Sequence, residues 1–436
     1  MSINFRKTLF LTCVVLFLIF APVIIFYSQG YRIDWNPTSG RMKVTQTGGL
    51  FFRISPKQAE IFLDSKLKKT TDFFFSSALI ENLIPKKYSI LIRKQGYHSW
   101  EKSLEVKEKT VTAAENIILI PLDVGLTSLA ADVENFWLSP DNRTLVIQEK
   151  TLINQKQSWS LKLFNIQKKI KSHLIEEADI YTKGADLISV EFSADSKKIL
   201  LKVGMKEQEK KFILEIDKVP PILTEVIEKT FSLKNIVTYQ EFGEEVYYLD
   251  DRGYLSKADS NFEQQTRINE IPINVLSETE YEIKRLGELI FLRENEKLYL
   301  FNKESRSLEG FFEPIANLKL SPDSKKIVYF SNYEIWVFFL ENTQNQPFKR
   351  AGEKVFLMRL SERIQDIAWL DSANLIISTE NETGSKIRIS EIDERDRINV
   401  AELTQLPNPE IIFNKADKKL YILSNNNIYQ SKQLLP

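Results

Sequence analysis

Short apolar runs separated by polar turns extend through most of the chain, and one such phrase recurs almost unchanged. Leu-Ser-Pro-Asp-Asn-Arg-Thr-Leu-Val-Ile begins at Leu138, and similar phrases begin at Phe192 and Leu320. Ser and Asp side chains hydrogen-bond the neighbouring backbone, so the polar centre of each phrase predicts a turn between two strands. More degenerate copies begin at Tyr239, Lys284, Ala368 and Ile412. The pattern predicts strand–turn–strand units repeated over residues 122–436.

Repeats of this kind indicate a mainly β fold, a β-propeller. Units of about 40–50 residues, each with several short strands, bury both sheet faces only when neighbouring units stack. Closing the stack into a ring also protects the strand edges. The length of residues 122–436 fits six to eight blades, and seven is the preferred number. An open β-solenoid and two stacked β-sandwiches are the alternative arrangements.

The phrase Ser-Pro-Asp-Ser-Lys-Lys, which begins at Ser321, carries a resemblance. It resembles the strand-joining turn of Tol-Pal-type and related WD-like propellers, in which a glycine follows the aspartate. Asn142, Ser196 and Ser324 stand at the glycine position here. The resemblance implies the propeller fold and no particular ligand. We expect the basic residues after each turn to be solvated at the blade edge.

The first apolar segment is of a different kind. Residues 9–27 contain no charge, and their number is close to the roughly 20 apolar residues that a membrane-spanning helix needs. The run is longer than the apolar core of a cleaved signal peptide, and Cys13 lies too early in it for a lipoprotein signal. We predict an uncleaved transmembrane anchor, with a cleaved signal peptide and a buried core helix as the alternatives.

Basic residues before this run predict its orientation. Arg6 and Lys7 precede the run, and no acidic residue does. Cytoplasmic flanks of membrane helices are enriched in Lys and Arg. We predict a cytoplasmic tail over residues 1–8, with the bulk of the chain outside the cytoplasm. Arg32, Arg41 and Lys43, on the far side, weigh against this orientation, and a cytoplasm-facing arrangement is the alternative.

Between the anchor and the repeats, the pattern predicts a linker and a small all-β domain. Residues 28–47 include the turn cluster Asn-Pro-Thr-Ser-Gly, from Asn36, and are predicted to be a juxtamembrane linker. Residues 48–121 alternate apolar and polar positions over five or six short segments, which is typical of half-buried strands. We predict a β-sandwich with strands at 50–54, 59–64, 88–94, 106–112 and 116–120.

This segment resembles a PEGA domain, a small extracytoplasmic β-domain. Pro56 and Ala59 match two positions of the Pro-Glu-Gly-Ala motif, with Lys and Gln between them. The run Lys-Gln-Gly-Tyr-His-Ser-Trp, from Lys94, matches the Lys-x-Gly-Tyr-x-x-Trp run of the family. Ser65 stands where a glycine usually follows the aspartate. The resemblance implies a membrane-anchored surface protein.

The composition and the missing motifs argue against several functional classes. Lys plus Arg and Asp plus Glu both number 59, so the chain lacks the basic excess that is typical of nucleic-acid binders. Cys13 is the single cysteine, and His98 and His173 are the two histidines, which excludes an intrachain disulfide and argues against a catalytic histidine pair. The sequence contains no serine-hydrolase elbow, zinc-protease motif or phosphate loop. We assign no catalytic, cofactor-binding or metal-binding residue and no cofactor.

The remaining candidate side chains are interpreted as structural. Tyr97 and Trp100 are expected to lie on opposite faces of one strand, and a sugar-stacking platform formed by the two is the alternative. Tryptophans at strand positions are assigned to the core: Trp137, Trp159, Trp336 and Trp369. Repeated aspartates are assigned to the turns: Asp141, Asp195 and Asp323.

These observations favour a non-catalytic, membrane-anchored scaffold. The propeller would bind another protein or a cell-envelope polymer outside the cytoplasm, and no nucleic acid. Two alternatives remain open. One is a propeller enzyme that cleaves glycan or peptide with carboxylates, as glycosidases do. The other is a scaffold that faces the cytoplasm. The sequence does not predict the oligomeric state.

Overall fold

A computed structural model describes nine stretches of the chain, which are residues 3–34, 42–153, 156–180, 184–205, 208–226, 235–243, 245–259, 262–382 and 384–435. Strands predominate in these stretches. The predicted turn cluster at residues 36–40 lies outside them.

The apolar N-terminal segment forms a single helix, α1 (Ile3–Ser28). Its side chains pack against almost nothing else in the described chain, and residues 6–28 are long and apolar enough to cross a membrane. Pro22 lies inside the helix, where its ring nitrogen cannot donate a backbone hydrogen bond. A two-stranded hairpin follows, formed by β1 (Tyr31–Asp34) and β2 (Lys43–Gln46).

Two sheets then pack face to face as a β-sandwich. One sheet has the order β5-β4-β7-β8, and the other has the order β6-β3-β9. Their strands are β3 (Gly48–Ser55), β4 (Glu60–Leu63), β5 (Lys66–Thr70), β6 (Ser77–Leu83), β7 (Lys87–Arg93), β8 (Trp100–Glu105) and β9 (Val111–Ile118). Alternate side chains of both sheets form one apolar core that includes Phe52, Ile61 and Ile92.

The predicted β-sandwich is confirmed, but it has seven strands instead of five or six, and the strands expected at 106–112 and 116–120 are replaced by the single strand β9. Residues 106–110 form the turn between β8 and β9, so the strand expected at 106–112 starts only at Val111. Only Val106 and Val111 are apolar in the expected strand, and Lys109 has a φ of 60°, which belongs to a turn and not to a strand. The expectation for Tyr97 is also wrong, because β8 begins at Trp100. Both aromatic side chains pack against the same core.

The described residues after the sandwich form seven four-stranded antiparallel sheets, which confirms the predicted propeller. The first three blades contain β11 (Val133–Leu138), β12 (Thr144–Ile153), β13 (Lys156–Asn165), β14 (Ile170–Glu176); β15 (Ala185–Phe192), β16 (Lys198–Met205), β17 (Gln208–Glu215), β18 (Ile222–Val226); and β19 (Ile236–Phe242), β20 (Glu245–Asp250), β21 (Leu255–Asp259), β22 (Thr266–Arg267). A short helix, α2 (Glu177–Ile180), connects the first blade to the second.

The next three blades contain β23 (Tyr281–Leu286), β24 (Leu289–Glu294), β25 (Lys297–Asn302), β26 (Ser307–Phe312); β27 (Asn317–Leu320), β28 (Lys326–Phe330), β29 (Glu334–Phe339), β30 (Lys354–Arg359); and β31 (Arg363–Trp369), β32 (Asn374–Asn381), β33 (Gly384–Glu391), β34 (Val400–Gln405). The seventh blade contains β35 (Glu410–Asn414), β36 (Lys419–Ser424), β37 (Asn427–Gln430) and β10 (Thr127–Ala130).

Strands from both ends of the repeat region close the ring. β10 precedes the first blade in the chain but pairs with β37 as the outer strand of the seventh blade. Thr127 lies opposite Gln430, and Ala130 lies opposite Ile428. Ile428 is fully buried in an apolar cluster that joins the seventh blade to Val133 and Ile147 of the first. The ring is therefore held shut by strand pairing and by apolar packing at the same place.

All seven copies of the recurring phrase lie at the first strand of a blade, one copy in each. In the clearest copy, the Ser321 hydroxyl donates to Asp323 Oδ1 at 2.5 Å and accepts from the Lys326 N–H at 2.9 Å. The same bonds occur at Ser139 and Ser193. The residue after the aspartate has a positive φ, 57° at Ser324, which is the conformation that glycine adopts most readily. The repeated aspartates therefore have the structural role predicted.

Tyr329 in β28 tests how a buried hydroxyl group without a hydrogen-bond partner affects the stability of the core. Its ring is fully buried, 5.0 Å from Phe311 and 4.9 Å from Phe312, but its hydroxyl has no hydrogen-bond partner in the described chain. Burial raises the pKa of this hydroxyl. Because a buried polar group without a partner is costly, Tyr329→Phe should increase the free energy of unfolding by about 1 kcal/mol.

The matched control for this prediction is Tyr421→Phe. The Tyr421 hydroxyl is also in the core but donates to Asp417 Oδ2 at 2.7 Å, so its removal should destabilise the protein by roughly 1 kcal/mol. Urea unfolding followed by tryptophan fluorescence measures both variants. Two shifts of the same sign would contradict the prediction.

Candidate functional site

The β-sandwich contacts one particular face of the propeller. Strand direction alternates in each blade, so connections from first to second strand and from third to fourth strand share one face, here called the turn face. The Ser-x-Asp turns lie on it. The sandwich touches the third-to-fourth-strand connections of the fifth and sixth blades, which are residues 340–353 and 392–399.

A buried charge cluster lies at the centre of this contact. The Lys102 side chain on β8 is completely buried. Its Nζ lies 2.8 Å from Glu391 Oε1, 2.6 Å from the Asp393 carbonyl oxygen and 3.6 Å from Asp393 Oδ1. The Trp100 Nε1–H donates to Glu391 Oε2 at 2.9 Å. Burial by itself would raise the pKa of Asp393, but the Arg395 and Lys102 cations outweigh it and hold that pKa below its usual value.

Polar groups around the cluster satisfy the backbone of the sandwich edge. The Asn399 side chain exchanges two hydrogen bonds with the Glu101 backbone, both at 3.0 Å. The Gln346 side chain does the same with β9, accepting from the Ala113 N–H and donating to the Val111 carbonyl oxygen, both at 3.1 Å. The propeller thus covers strand edges that would otherwise remain unpaired.

The chain segment between the two units is also fixed. The His98 N–H donates to the Ile120 carbonyl oxygen at 2.8 Å, and the Leu122 N–H donates to the Gly96 carbonyl oxygen at 2.9 Å. Gly96 has a φ of 81°, which explains the glycine in the Gly-Tyr-x-x-Trp run. Ile120 and Val124 pack into the core between the sixth and seventh blades. The segment is therefore part of the packed structure.

A cleft of about 500 Å³ remains beside the contact and is the best-formed candidate site. It is lined by Trp100 from the sandwich, by turn residues Asp323 and Asp371, and by an amide-rich loop at residues 341–347. Burial raises the pKa of Asp371. Burial also acts to raise the pKa of Asp323, but the Ser321 and Lys326 hydrogen bonds hold that pKa below its usual value.

Burial raises the pKa of Asp371 in this cleft, and a raised pKa is what a general acid requires. Its oxygens are already engaged, because Oδ1 accepts from the Ala373 N–H at 2.7 Å and from Asn374 Nδ2 at 3.0 Å. Those bonds hold it in its own turn. Among the described residues, no His, Cys, Asp and Glu side chains group in a way that could hold a metal ion.

The tryptophans lie where they were predicted. Trp137, Trp159, Trp336 and Trp369 are strand residues, and the indole N–H of Trp159 donates to the Ala185 carbonyl oxygen at 2.6 Å inside the core. The Trp100 ring is buried in the contact between sandwich and propeller. Its face is not presented for sugar stacking. His173 is an exposed residue of β14, with its Nδ1 3.2 Å from Lys162 Nζ.

The sequence contained one signal for the buried cluster. Lys102 stands between Trp100 and Leu104 at alternate positions of β8, and alternation places all three on the same face. A lysine on a buried face needs an acidic partner. The acidic partners lie nearly 300 residues later, at and just after the end of β33. The sequence of that charged connection is typical of a solvated loop.

Glu362, on the opposite face of the sixth blade, provides a pH test. It accepts hydrogen bonds from Arg388, from Thr379 Oγ1 at 2.8 Å and from Lys386 Nζ at 3.2 Å. The Arg388 hydrogen bond, opposed by burial, is the main reason that the pKa of Glu362 falls to about 2. A lowered pKa stabilises the fold above the pKa of the unfolded chain, and this stabilisation is lost as the pH falls towards 2.

Glu362→Gln should therefore lower the free energy of unfolding by about 1–2 kcal/mol at pH 7. The difference from the parent protein should shrink between pH 5 and pH 2. Urea unfolding at a series of pH values measures it. A difference that stays constant over this range would contradict the assignment.

No protein-family profile matches the chain, and no curated protein matches it. Solved structures similar to it include the crystal structure of a mitotic checkpoint complex, with 9% identity and a TM-score of 0.45 over 72% of this chain and 92% of the other. A second is the Myceliophteria thermophila Cps50 (Swd1) β-propeller domain, with 10% identity and a TM-score of 0.42 over 70% and 98%. A third is YCF48 from Cyanidioschyzon merolae, with 8% identity and a TM-score of 0.44 over 71% and 98%.

Proposed function

We propose that this chain is a non-catalytic scaffold, anchored in a membrane by α1, in which a PEGA-like sandwich holds the propeller for binding another protein or an envelope polymer. The sandwich and the propeller are the two proposed domains, with residues 48–121 and 122–436. The observation that carries the proposal is the buried contact through Lys102. That contact fixes the orientation of the propeller relative to the segment that leads to the helix.

The face opposite the turn face is the proposed binding surface. The sandwich leaves it uncovered, and apolar side chains are exposed there in the connections between and within blades. Ile271 is 61% exposed, Leu276 is 52% exposed and Tyr333 is 43% exposed. Exposed apolar groups on a rigid scaffold are typical of protein-binding surfaces.

A pull-down from solubilised membranes tests this surface. The parent chain and the variant Ile271→Ser/Leu276→Ser/Tyr333→Ser serve as baits, and Val219→Ser on the turn face is the matched control. We expect a reproducible partner that the triple variant loses and the control keeps. Equal recovery by the triple variant would refute the binding surface, and recovery of no reproducible partner would refute the scaffold.

Orientation is tested separately by protease treatment of intact cells. With the bulk of the chain outside the cytoplasm, the propeller should be degraded while residues 1–8 are protected. Survival of the propeller in intact cells, followed by its loss after permeabilisation, would establish the cytoplasm-facing alternative.

The enzymatic alternative has one observation in its favour, the raised pKa of Asp371 in the cleft. Its hydrogen bonds within the turn oppose that role. A glycan- or peptide-cleaving activity that Asp371→Asn abolished without unfolding the protein would establish it in place of the scaffold.

A further inference from the structure

The sandwich edge formed by β5 and β6 is open, and Phe73, in the loop between these strands, lines a cleft that also includes Asp371 and Leu435 of the propeller. β8 and β9, at one edge of their sheets, contact the propeller, whereas β5 and β6 are the strands at the other edge. All five residues of β5 are exposed. An exposed edge strand presents unpaired backbone N–H and carbonyl groups, which can pair with another chain.

The loop that joins these two edge strands carries three consecutive exposed phenylalanines. Phe73, Phe74 and Phe75 are 66%, 73% and 67% exposed. The ends of the loop are fixed, since the Ala59 N–H donates to Thr71 Oγ1 at 2.8 Å and the Ile54 N–H donates to the Ser76 carbonyl oxygen at 2.8 Å. Three large apolar side chains on a held loop mark an interaction site.

The same edge is basic. β5 contains Lys66, Lys68 and Lys69 and no acidic residue. Lys69 Nζ donates to the Leu79 carbonyl oxygen at 3.1 Å, and the carboxylate near Lys68 is Asp64, which is already hydrogen-bonded to Lys86. A partner with acidic side chains would supply the missing charges.

Geometry argues against a lipid surface as the occupant. Arg32, just after α1, donates to Asn82 Oδ1 at 3.0 Å, near the end of β6 at Leu83. The phenylalanines adjoin Ser77, at the other end of β6. Seven residues at about 3.3 Å each separate the two ends by roughly 20 Å. A second copy of the chain is disfavoured because edge-to-edge pairing would bring like charges together.

We propose that β5 and the loop at residues 71–76 bind an extended segment of a partner protein, which adds a strand beside β5. Acidic side chains of that segment pair with the lysines of β5, and its apolar side chains cover the phenylalanines. This site is independent of the binding surface proposed for the propeller.

The experiment uses the full chain in lipid nanodiscs and a synthetic peptide in which glutamate alternates with valine and phenylalanine. The comparison peptide has lysine in place of glutamate. We expect the acidic peptide to bind at least about tenfold more tightly, and we expect slower amide exchange in β5 when it binds. Phe73→Ser/Phe74→Ser/Phe75→Ser should weaken binding about tenfold with an unchanged circular dichroism spectrum, whereas Phe348→Ser, on the propeller, should not.

Several results would overturn the proposal. Equal affinity for the two peptides, or no binding of either, refutes the charge argument. A Cys13→Ser/Phe74→Cys variant carries a polarity-sensitive dye at the loop, since Cys13 is the single native cysteine. A blue shift in nanodiscs without peptide would assign the loop to the lipid surface. Energy transfer between differently labelled copies would assign it to self-association.

Discussion

Replacing Lys102 with methionine should detach the β-sandwich from the propeller. Methionine fills most of the same space but leaves Glu391 without its cation and reduces the charge that balances Asp393. Removing one partner from a buried ion pair typically costs about 3–5 kcal/mol, because the remaining charge is desolvated without compensation. That loss should fall on the contact between the two units.

Small-angle scattering and limited thermolysin digestion measure this detachment, since the segment between the two units contains several leucines but no lysine or arginine. The radius of gyration should rise, and cleavage should appear in the segment between β9 and β10. Lys107→Met is the matched control, because Lys107 is an exposed lysine whose nearest acid, Glu105, lies 4.0 Å away. If Lys102→Met has the same dimensions and cleavage pattern as the control, the cluster does not hold the units together.

A double substitution separates charge from packing. Lys102→Met combined with Glu391→Gln removes both members of the closest pair, so it leaves less uncompensated charge than Lys102→Met alone. The double variant should therefore be less destabilised than the sum of the single variants. Strict additivity would show that the two side chains act independently.

Ile428→Ala should open the propeller at its closing seam. Ile428 is fully buried between the seventh and first blades and lies opposite Ala130 of β10. Truncating a buried isoleucine to alanine costs about 2–5 kcal/mol, because apolar contacts are lost and a cavity remains. A ring that opens here also exposes two strand edges, so the variant should aggregate at lower temperature.

Urea unfolding and light scattering during heating measure the effect. Ile222→Ala on the outer strand of the second blade is the control, since Ile222 is about half exposed and should change stability by less than about 0.5 kcal/mol. Equal unfolding midpoints for the two variants would show that Ile428 at the seam contributes no more to stability than the half-exposed Ile222.

The blade pattern could be predicted from sequence because the information is local. A serine and an aspartate two residues apart fix each clear turn through their own hydrogen bonds. The turns still form although Asn142, Ser196 and Ser324 stand at the glycine position. All three residues adopt a positive φ. Asp64 and Ser65 in the sandwich also adopt a positive φ without being glycine.

The contact between sandwich and propeller could not be predicted, because its information is distributed. Residues 392–399 bind residues near 100, but the two segments have no periodic pattern in common. Alternation shows that Lys102 is buried, yet it cannot choose a partner among 59 acidic residues. The strand expected at 106–112 was wrong for a different reason, because Lys107, Glu108 and Lys109 form a polar turn between β8 and β9.

The pairing of β10 with β37 also sets when the protein can finish folding. About 300 residues separate the two strands, so the last blade stays incomplete until residues 427–430 have been synthesised. Contacts at such long sequence separation form slowly, because a large loop must close first. Until then the ring has two open sheet edges, and these are the surfaces on which nascent β-proteins aggregate. We expect the newly made chain to depend on folding assistance throughout that interval.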